Sequence, residues 1–558
     1  MINILKKFLD NNNLDGFIIP KNDSYFTEYS KINNLSKLTN FTGSAGFSVV
    51  LKKKNYLFVD GRYTLQAKKQ SGKKFKILEI PYVWPKDIIN IQNKKIGFDP
   101  KLFTENMLHK FFENKSILVP IEFSFKKYPE KNLTKIYKLS NSICGESSFV
   151  KIKKVKEYLL KNKINYLYAS ASENVNWLLN IRGKDLPNSP IANCKLIISQ
   201  KGKLNLFVNL NKISDSIRRS FKNINFYEEN KFFKVISNLS NGSFCIDKNT
   251  CSIYEQKILS GYFKITHKDD PIYNFKAIKN KIEIRNTIQA HIEDGIAVTK
   301  FLCWFKNQKQ ILTEKKVENK LELLRKKSKN YLFPSFDTIA GSGPNGAIIH
   351  YKSNSLTNRK IGKNDLLLID SGGQYKWGTT DVTRTTFNGK VSNNTKNNFT
   401  RVLKGHIAVV TSNLAREYNG HLIDQLARKP LKKIGLNYSH GTGHGVGFFL
   451  NVHEGPQSIA KNNNIKLKEG MILSNEPGFY LKNQYGIRIE NLIYIKRKKK
   501  NLFFRNLTYA PIDVELINFK MLTNKEKNYL FYYHLDVYRK LSKYLSYKER
   551  KWLVNLIK

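Results

Sequence analysis

The stretch DLLLIDSGGQYKWGTTDVTRTTF, residues 365–387, decides how the rest of the chain is read. Its apolar run Leu366 to Ile369 has the length and composition of a strand buried on both faces, and it delivers Asp370 at its end. Glycines then turn the chain, and a second strand begins at Asp381. A hairpin of this kind can bring two carboxylates to one point. The two-residue period of a strand places Asp381, Thr383 and Thr385 on one face and Arg384 on the other. Taken alone, two strand-end aspartates would do no more than cap turns, so the rest of the region must decide.

Two further segments do so. HGTGHGVGFFLNVHEGP, residues 440–456, sets His440, His444 and His453 among closely spaced glycines. A zinc-binding helix with His at i and i+4 is excluded, because Gly441, Gly443, Gly445 and Gly447 would each cost a helix roughly 1 kcal/mol. Glycines at this density are expected to let the backbone come close to something bound. In ILSNEPGFYLKNQYGIRIENLIYI, residues 472–495, Glu476 follows a short apolar strand and Pro477–Gly478 turns the chain away. On the returning strand Arg488 and Glu490 share a face, and the arginine is expected to hold the ligating carboxylate in place.

Asp370, Asp381, Glu476 and Glu490 together with His444 form an oxygen-rich, hard donor set. Such chemistry favours Mn2+ and admits Co2+, Zn2+ or Fe2+, while arguing against a thiolate-type zinc site. Four carboxylates balance two divalent cations, and burying them without metal would be very costly. Two metals about 3.5–4 Å apart can act together on water and a carbonyl.

The rest of the chain supplies context. At 558 residues it exceeds a single hydrophobic core, and about three or four domains are expected. Residues 1–146 alternate strand-like runs (Gly16–Ile19, Phe47–Leu51, Tyr56–Val59) with turns and lysine-rich helices. Residues 147–274 repeat the pattern, from the amphipathic VKIKKVKEYLLKNK (150–163) through INYLYAS (164–170), WLLNIRG (177–183), LIIS and LNLFV. Tandem α/β units suggest duplication, although no letter-by-letter repeat is visible. Residues 275–498 open with a helical pattern from about Lys279 to Lys306, where Ile284, Ile288, Ile292 and Ile296 recur at helical spacing. In residues 499–558, Thr523 with Glu526 and Ser546 with Glu549 have capping-box spacing, so a docked helical extension is expected.

The formal charge of +52 first suggests nucleic acid. The excess is lysine spread over every segment, accompanied by abundant asparagine and isoleucine, as an A+T-biased genome would encode; no specific nucleic-acid partner is expected. No run approaches the roughly 18 apolar residues of a membrane span. The opening MINILKKFLDNNNLDGF lacks the pattern of an export signal, and five scattered cysteines without a C-x-x-C pair suit reduced thiols. A cytoplasmic protein without membrane attachment is expected.

At the five putting-together positions, Asp370, Asp381, His444, Glu476 and Glu490, the sequence resembles the pita-bread metallopeptidases, and its flanking words resemble the long, three-domain Xaa-Pro aminopeptidases. The words are FDTIAGSGPNGAIIHY (336–351), IDSGGQYKWGTTDVTRT (369–385), HGTGHGVGFFLNVHEGP, SNEPGFY (474–480) and GIRIEN (486–491). Outside this region LTNFTGSAG (38–46), VDGRYTLQA (59–67), ENVNWLLNIRG (173–183) and LTYAPID (507–513) extend the resemblance to nearly the whole chain. It implies two creatinase-N-like α/β domains, a pita-bread catalytic domain and a helical C-terminal extension, assembled as a homodimer. It also implies that Asp370 is a terminal ligand of one metal, His444 and Glu476 are terminal ligands of the other, and Asp381 and Glu490 bridge both. Glu476 would relay a proton; His350, His440 and His453 would position substrate and stabilise charge on the scissile carbonyl; Arg488 would lie behind the ligands. The implied reaction releases the N-terminal residue from peptides with proline in second position. A proline dipeptidase on the same catalytic domain is the alternative, although such enzymes usually carry one front domain. A non-catalytic binding module is disfavoured because all five ligand positions are filled.

Overall fold

The computed structural model describes residues 1–30, 33–125, 133–355 and 357–557. The chain divides into two compact units, Met1–Phe275 and Lys276–Lys558.

The first unit contains two six-stranded sheets. Strands β1 (Gly16–Pro20), β2 (Phe47–Leu51), β3 (Asn55–Asp60), β4 (Lys76–Ile80), β5 (Lys95–Phe98) and β6 (Ile117–Pro120) are ordered β4-β3-β2-β1-β5-β6. Strands β7 (Tyr166–Ala169), β8 (Lys195–Ser199), β9 (Leu204–Phe207), β10 (Ile224–Tyr227), β11 (Ser243–Ile246) and β12 (Lys264–His267) are ordered β10-β9-β8-β7-β11-β12. The two orders are identical once renumbered. So are the directions: β2 runs antiparallel to β1 and to β3 while every other pairing is parallel, and the second sheet follows the same rule. The duplication suggested by the alternating pattern is therefore a repeat of topology. The stretch WLLNIRG splits, with Trp177–Leu179 closing a helix over Ser172–Leu179 and only Ile181–Arg182 extended.

The second unit opens with α1 (Lys281–Lys306), whose first turn is closed by a capping box between Asn280 and Glu283. Ile284, Ile288, Ile292 and Ile296 are partly buried and pack on the core as their spacing predicts. A second face is buried too. Asp294, on that face, accepts from Arg325 Nε at 2.8 Å and from the Tyr375 hydroxyl at 2.9 Å, tying α1 to α2 (Glu314–Arg325).

Then come β13 (Tyr331–Pro334), β14 (Ile339–Ser342), β15 (Leu366–Ser371), β16 (Gly373–Tyr375), β17 (Gly378–Thr379) and β18 (Val382–Phe387), followed by α3 (Asn393–Val410) and α4 (Gly420–Lys432). The unit continues with β19 (Gly443–Gly445), β20 (Glu454–Ile459), β21 (Ile472–Asn475), β22 (Gly478–Leu481), β23 (Tyr485–Arg488), β24 (Asn491–Lys498) and β25 (Asn501–Asn506). Sheets β14-β15-β18 and β20-β19-β21-β24-β25 and the hairpin β22–β23 carry the residues of interest. The chain ends in α5 (Asn524–Leu541) and α6 (Tyr547–Val554), both started by the capping boxes expected at Thr523/Glu526 and Ser546/Glu549. The C-terminal extension is not helical throughout: β25 pairs with β24 along its length, and the basic run Lys496–Lys500 forms the end of β24 and the turn that follows. All five cysteines are free and buried, and no helix among the described residues is long and apolar enough to cross a membrane.

Candidate active site

β15 and β18 form the antiparallel pair expected from the opening stretch, with Asp370 opposite Thr383 and Ser371 opposite Val382. Asp370 is the penultimate residue of the first strand and Asp381 stands just before the second, so the hairpin brings both into one buried place; they are 8 % and 4 % exposed. β19 brings His444 and β21 leads into Glu476; Glu490, expected on the returning strand, lies just past its end at Arg488, in the two-residue link to β24. Donor atoms of Asp381, His444 and Glu490 all lie within 4.8 Å of one another. His444 Nε2 stands 3.4 Å from Asp381 Oδ2 and 3.5 Å from Glu476 Oε1.

The surrounding hydrogen bonds orient these groups. His444 Nδ1 lies 2.9 Å from the Gly445 carbonyl, an acceptor, so it carries a proton and leaves Nε2 facing the carboxylates. Ser474 Oγ accepts from the His444 amide at 2.9 Å and donates to Glu476 Oε1 at 3.2 Å. Thr383 Oγ1 donates to Glu490 Oε2 at 2.7 Å, and the Glu490 amide donates to the Thr383 carbonyl at 3.1 Å.

Arg488, 1 % exposed, does something other than the sequence suggested. The carboxylate it holds directly is that of Asp370, through Nη2–Oδ2 at 2.6 Å. It reaches Glu490 through Thr383, whose hydroxyl accepts from Nε at 3.1 Å. Its Nη1 donates to the Tyr480 hydroxyl at 2.6 Å, and Tyr480 in turn lies 2.9 Å from His440 Nε2. With His440 Nδ1 against the Gly441 carbonyl at 2.7 Å, Nε2 accepts the phenolic proton. Burial, opposed by the Arg488 charge, pushes the Tyr480 hydroxyl up to about 12, so it stays protonated as a donor.

Tyr480 was not singled out from sequence, yet its placement follows from register. Gly478 pairs with Arg488 across the hairpin, so Tyr480, two residues on, shares the arginine's face. A Cβ at Gly478 would lie 2.6 Å from the Tyr480 oxygen, and glycine leaves it that room. The glycines around His444 also have a different partner from the one expected. A Cβ at Gly443 would meet the Ser474 carbonyl at 1.9 Å, and one at Gly445 the Glu454 carbonyl at 2.2 Å. They allow neighbouring strands, rather than a ligand, to approach closely. The His440 and His444 pair is not helical, as the glycine content predicts.

His453 packs edge-on against His444, with ring centroids 4.3 Å apart. His350 is half-buried on the segment that follows Gly343–Ala347, next to the buried Tyr351.

Electrostatics describe a site made for cations. Burial pushes Asp370 up to about 6, aided by the Asp381 and Glu476 charges and opposed by Arg488. Burial and the neighbouring carboxylates push Glu490 well above its ordinary value, and burial raises Glu476. Burial pulls His444 down, but the Asp381 hydrogen bond and the Glu476 and Asp381 charges lift it to about 9. One oxygen of the buried Asp370, Oδ1, has no hydrogen-bond partner among the described residues. A native protein does not leave a buried carboxylate oxygen unsatisfied without reason. Four converging carboxylates, an imidazole with its Nε2 presented to them and an unpartnered Oδ1 all fit divalent cations held by Asp370, Asp381, His444, Glu476 and Glu490.

Four family models match consecutive parts of the chain: two creatinase/prolidase N-terminal domains at residues 1–122 and 127–283, metallopeptidase family M24 at 285–497, and the C-terminal region of peptidase M24 at 500–558. A probable Xaa-Pro aminopeptidase P of Laccaria bicolor is 34% identical, covering 98% of this chain and 91% of its own. Xaa-Pro aminopeptidase 1 of Dictyostelium discoideum is also 34% identical, covering 99% and 95%. The crystal structure of an X-prolyl aminopeptidase from Caenorhabditis elegans, described as a cytosolic enzyme with a di-nuclear active site, superposes with a TM-score of 0.91 at 29% identity, covering 98% of this chain and 95% of that one. The chain belongs to metallopeptidase family M24 and, within it, to the Xaa-Pro aminopeptidases.

Proposed function

We infer that this chain removes the N-terminal residue from peptides whose second residue is proline. The observation that carries the reading is the buried convergence of Asp381, His444 and Glu490 donor atoms, with Glu476 and Asp370 beside them, in a chain similar over nearly its full length to Xaa-Pro aminopeptidases. Asp370 would hold one cation, His444 and Glu476 the other, and Asp381 and Glu490 both. Two divalent cations, with Mn2+ favoured by the oxygen-rich donors, supply charge that acidifies water and polarises the scissile carbonyl.

The chain's own residues do the rest. Glu476, beside His444 at 3.5 Å, would take up the proton of the attacking water and pass it towards the leaving amine. His453, stacked edge-on against His444, and His350 face the developing charge on the carbonyl oxygen. His440 is held by Tyr480, and Tyr480 by Arg488, so the group that positions substrate is braced against Asp370 on the other side of the site. Proline in second position presents a tertiary amide and a fixed ring, which a dedicated pocket must accommodate.

We divide the chain functionally into residues 1–146 and 147–274 as front domains, 275–498 as the catalytic domain and 499–558 as its extension. The protein acts in the cytoplasm as a homodimer, with neither membrane nor specific nucleic-acid partners, its charge reflecting composition. The discriminating experiment compares an Xaa-Pro dipeptide with a longer Xaa-Pro peptide after loading with Mn2+. Turnover of the longer peptide supports the reading; activity confined to dipeptides assigns a proline dipeptidase instead.

A further inference from the structure

A carboxylate outside the cluster organises the loop that carries His350. Glu314 is the first residue of α2 and is 0 % exposed. Its Oε1 accepts from the Ser342 amide at 2.7 Å and the Ser342 hydroxyl at 3.1 Å. Its Oε2 accepts from the Tyr351 hydroxyl at 2.7 Å and the Arg359 amide at 3.2 Å, and Asn345 Nδ2 lies 3.0 Å from both oxygens. The Glu314 amide returns a hydrogen bond to the Arg359 carbonyl at 3.1 Å.

These five donors come from both ends and the middle of residues 342–359. Beyond the short turn Gly343–Ala347, the described part of that segment has no helix or strand of its own. Connections of this length with little secondary structure of their own are uncommon and are usually either functional or disordered. Here every donor to Glu314 is neutral, so the buried charge is balanced only while all of them stay in place; charge-assisted bonds of this kind are the stronger ones. Losing one strand of the arrangement exposes the rest to the cost of an unsatisfied buried carboxylate.

The loop is also pressed against the active site. Gly346 meets Gly486 of β23 so closely that a Cβ on Gly486 would lie 1.8 Å from the Gly346 carbonyl. β23 is the strand that ends in Arg488. On the other side Ser342 ends β14, whose Ile339 pairs with Asp370. His350 follows Gly346 by four residues and stands one residue before the anchored Tyr351.

We propose that Glu314 is a positioning residue: it clamps the 342–359 loop so that the His350 imidazole is held over the reacting carbonyl. The proposal rests on the reading of His350 given above. In Glu314→Gln one acceptor oxygen becomes a donor facing donors, with side-chain volume kept. Against an Xaa-Pro peptide this variant should lose about tenfold to a hundredfold in kcat, the scale of a misplaced reacting group, with KM within about threefold and metal content unchanged. Amide hydrogen exchange of residues 343–351 should speed up. In a His350→Ala background the same substitution should cost nothing further. Tyr351→Phe, which removes a single donor, should give the same pattern in weaker form and serves if Glu314→Gln does not fold. Wild-type kcat in both variants, unchanged exchange in 343–351, or an equal loss in the His350→Ala background would overturn the proposal. The exchange measurement needs no activity, so a wild-type protein that fails to cleave Xaa-Pro peptides would refute the functional reading while still testing the clamp.

Discussion

Arg384 offers the sharpest test of how the C-terminal extension is joined to the site. It lies on β18 with its side chain on the face opposite Asp381, 2 % exposed. Its Nε donates to the Pro511 carbonyl at 2.9 Å, Nη1 to the Glu490 carbonyl at 2.6 Å and the Thr383 carbonyl at 2.8 Å, and Nη2 to the Ala510 carbonyl at 2.7 Å, Asn491 Oδ1 at 2.8 Å and the Tyr533 hydroxyl at 2.9 Å. All these acceptors are neutral, and burial lowers the affinity of the guanidinium for its proton. One side chain thus ties the backbone of Glu490 to the segment 510–511 and to α5. In Arg384→Met the Ala510 carbonyl keeps its bond from Tyr533 and the Thr383 carbonyl keeps its bond from the Glu490 amide. The Pro511 and Glu490 carbonyls lose the guanidinium. Two buried acceptors left unmet, at about 1–3 kcal/mol each, predict a loss of about 2–6 kcal/mol. That corresponds to a fall of at least several degrees in the melting temperature of a unit this size. Arg384→Lys should recover less than half, because an ammonium cannot span acceptors arranged for a planar fork. Chelated protein should be melted so that metal binding does not mask the change, and a Mn2+ titration of the refolded variant should show weaker binding. A melting temperature within one degree of wild type for Arg384→Met would show that the guanidinium does not join Glu490 to the C-terminal extension.

Three further outcomes are expected. Glu454 receives Lys276 at 2.9 Å and Lys279 at 2.5 Å, all three side chains being 1 % exposed, so Glu454→Gln should destabilise by about 3–5 kcal/mol in denaturant unfolding because two buried ammonium groups lose their counter-charge; a change under 1 kcal/mol would contradict this. His534 accepts from the Ile512 amide at 3.0 Å, and burial together with the Arg384 charge lowers it to about 4 from 6.5. The unfolded chain therefore takes up that proton first as pH falls, and stability is lost between about pH 6.5 and 4, by up to about 3 kcal/mol; His534→Gln should flatten this part of the stability profile, and an unchanged profile would count against it. His453→Ala should retain its Mn2+ and lose most turnover, since on the proposed reading His453 packs on the ring of His444 and acts on substrate, not on metal; loss of metal in this variant would make it part of the binding set.

Much of the candidate site was legible because most of its proposed ligands sit at or near the ends of strands that announce themselves. The run Leu366–Ile369 could only be a buried strand, and a strand that ends in aspartate, turns on glycines and returns from another aspartate has few ways to fold. The glycine content around His444 likewise excluded a helix. What escaped depends on register between segments distant in sequence. Nothing local says that Arg488 reaches across to Asp370, which needs β23 beside β18, where the Arg488 amide donates to Thr385 Oγ1 at 3.0 Å; that Tyr480 stands between Arg488 and His440 needs the pairing of Gly478 with Arg488. Nothing near Glu314 in the sequence marks it out, because its partners lie 28 to 45 residues further along. The repeat in the first unit was visible as alternation but not as letters, since a buried strand requires apolar residues and not particular ones. The strand β25 was missed because NLFFRN, following a basic run, has too short an apolar core to stand out.

On the proposed reading Asp370, Asp381, His444, Glu476 and Glu490 would hold two divalent cations and the chain would cleave in front of proline. Metal content and cleavage of an Xaa-Pro peptide, measured on the same Mn2+-loaded preparations of wild type and Asp381→Ala, decide between this and its alternatives. Wild type should carry about two ions per chain and release the first residue, while Asp381→Ala, lacking a carboxylate shared by both ions, should lose metal and activity together. An Asp381→Ala protein that keeps both ions and full turnover would contradict it.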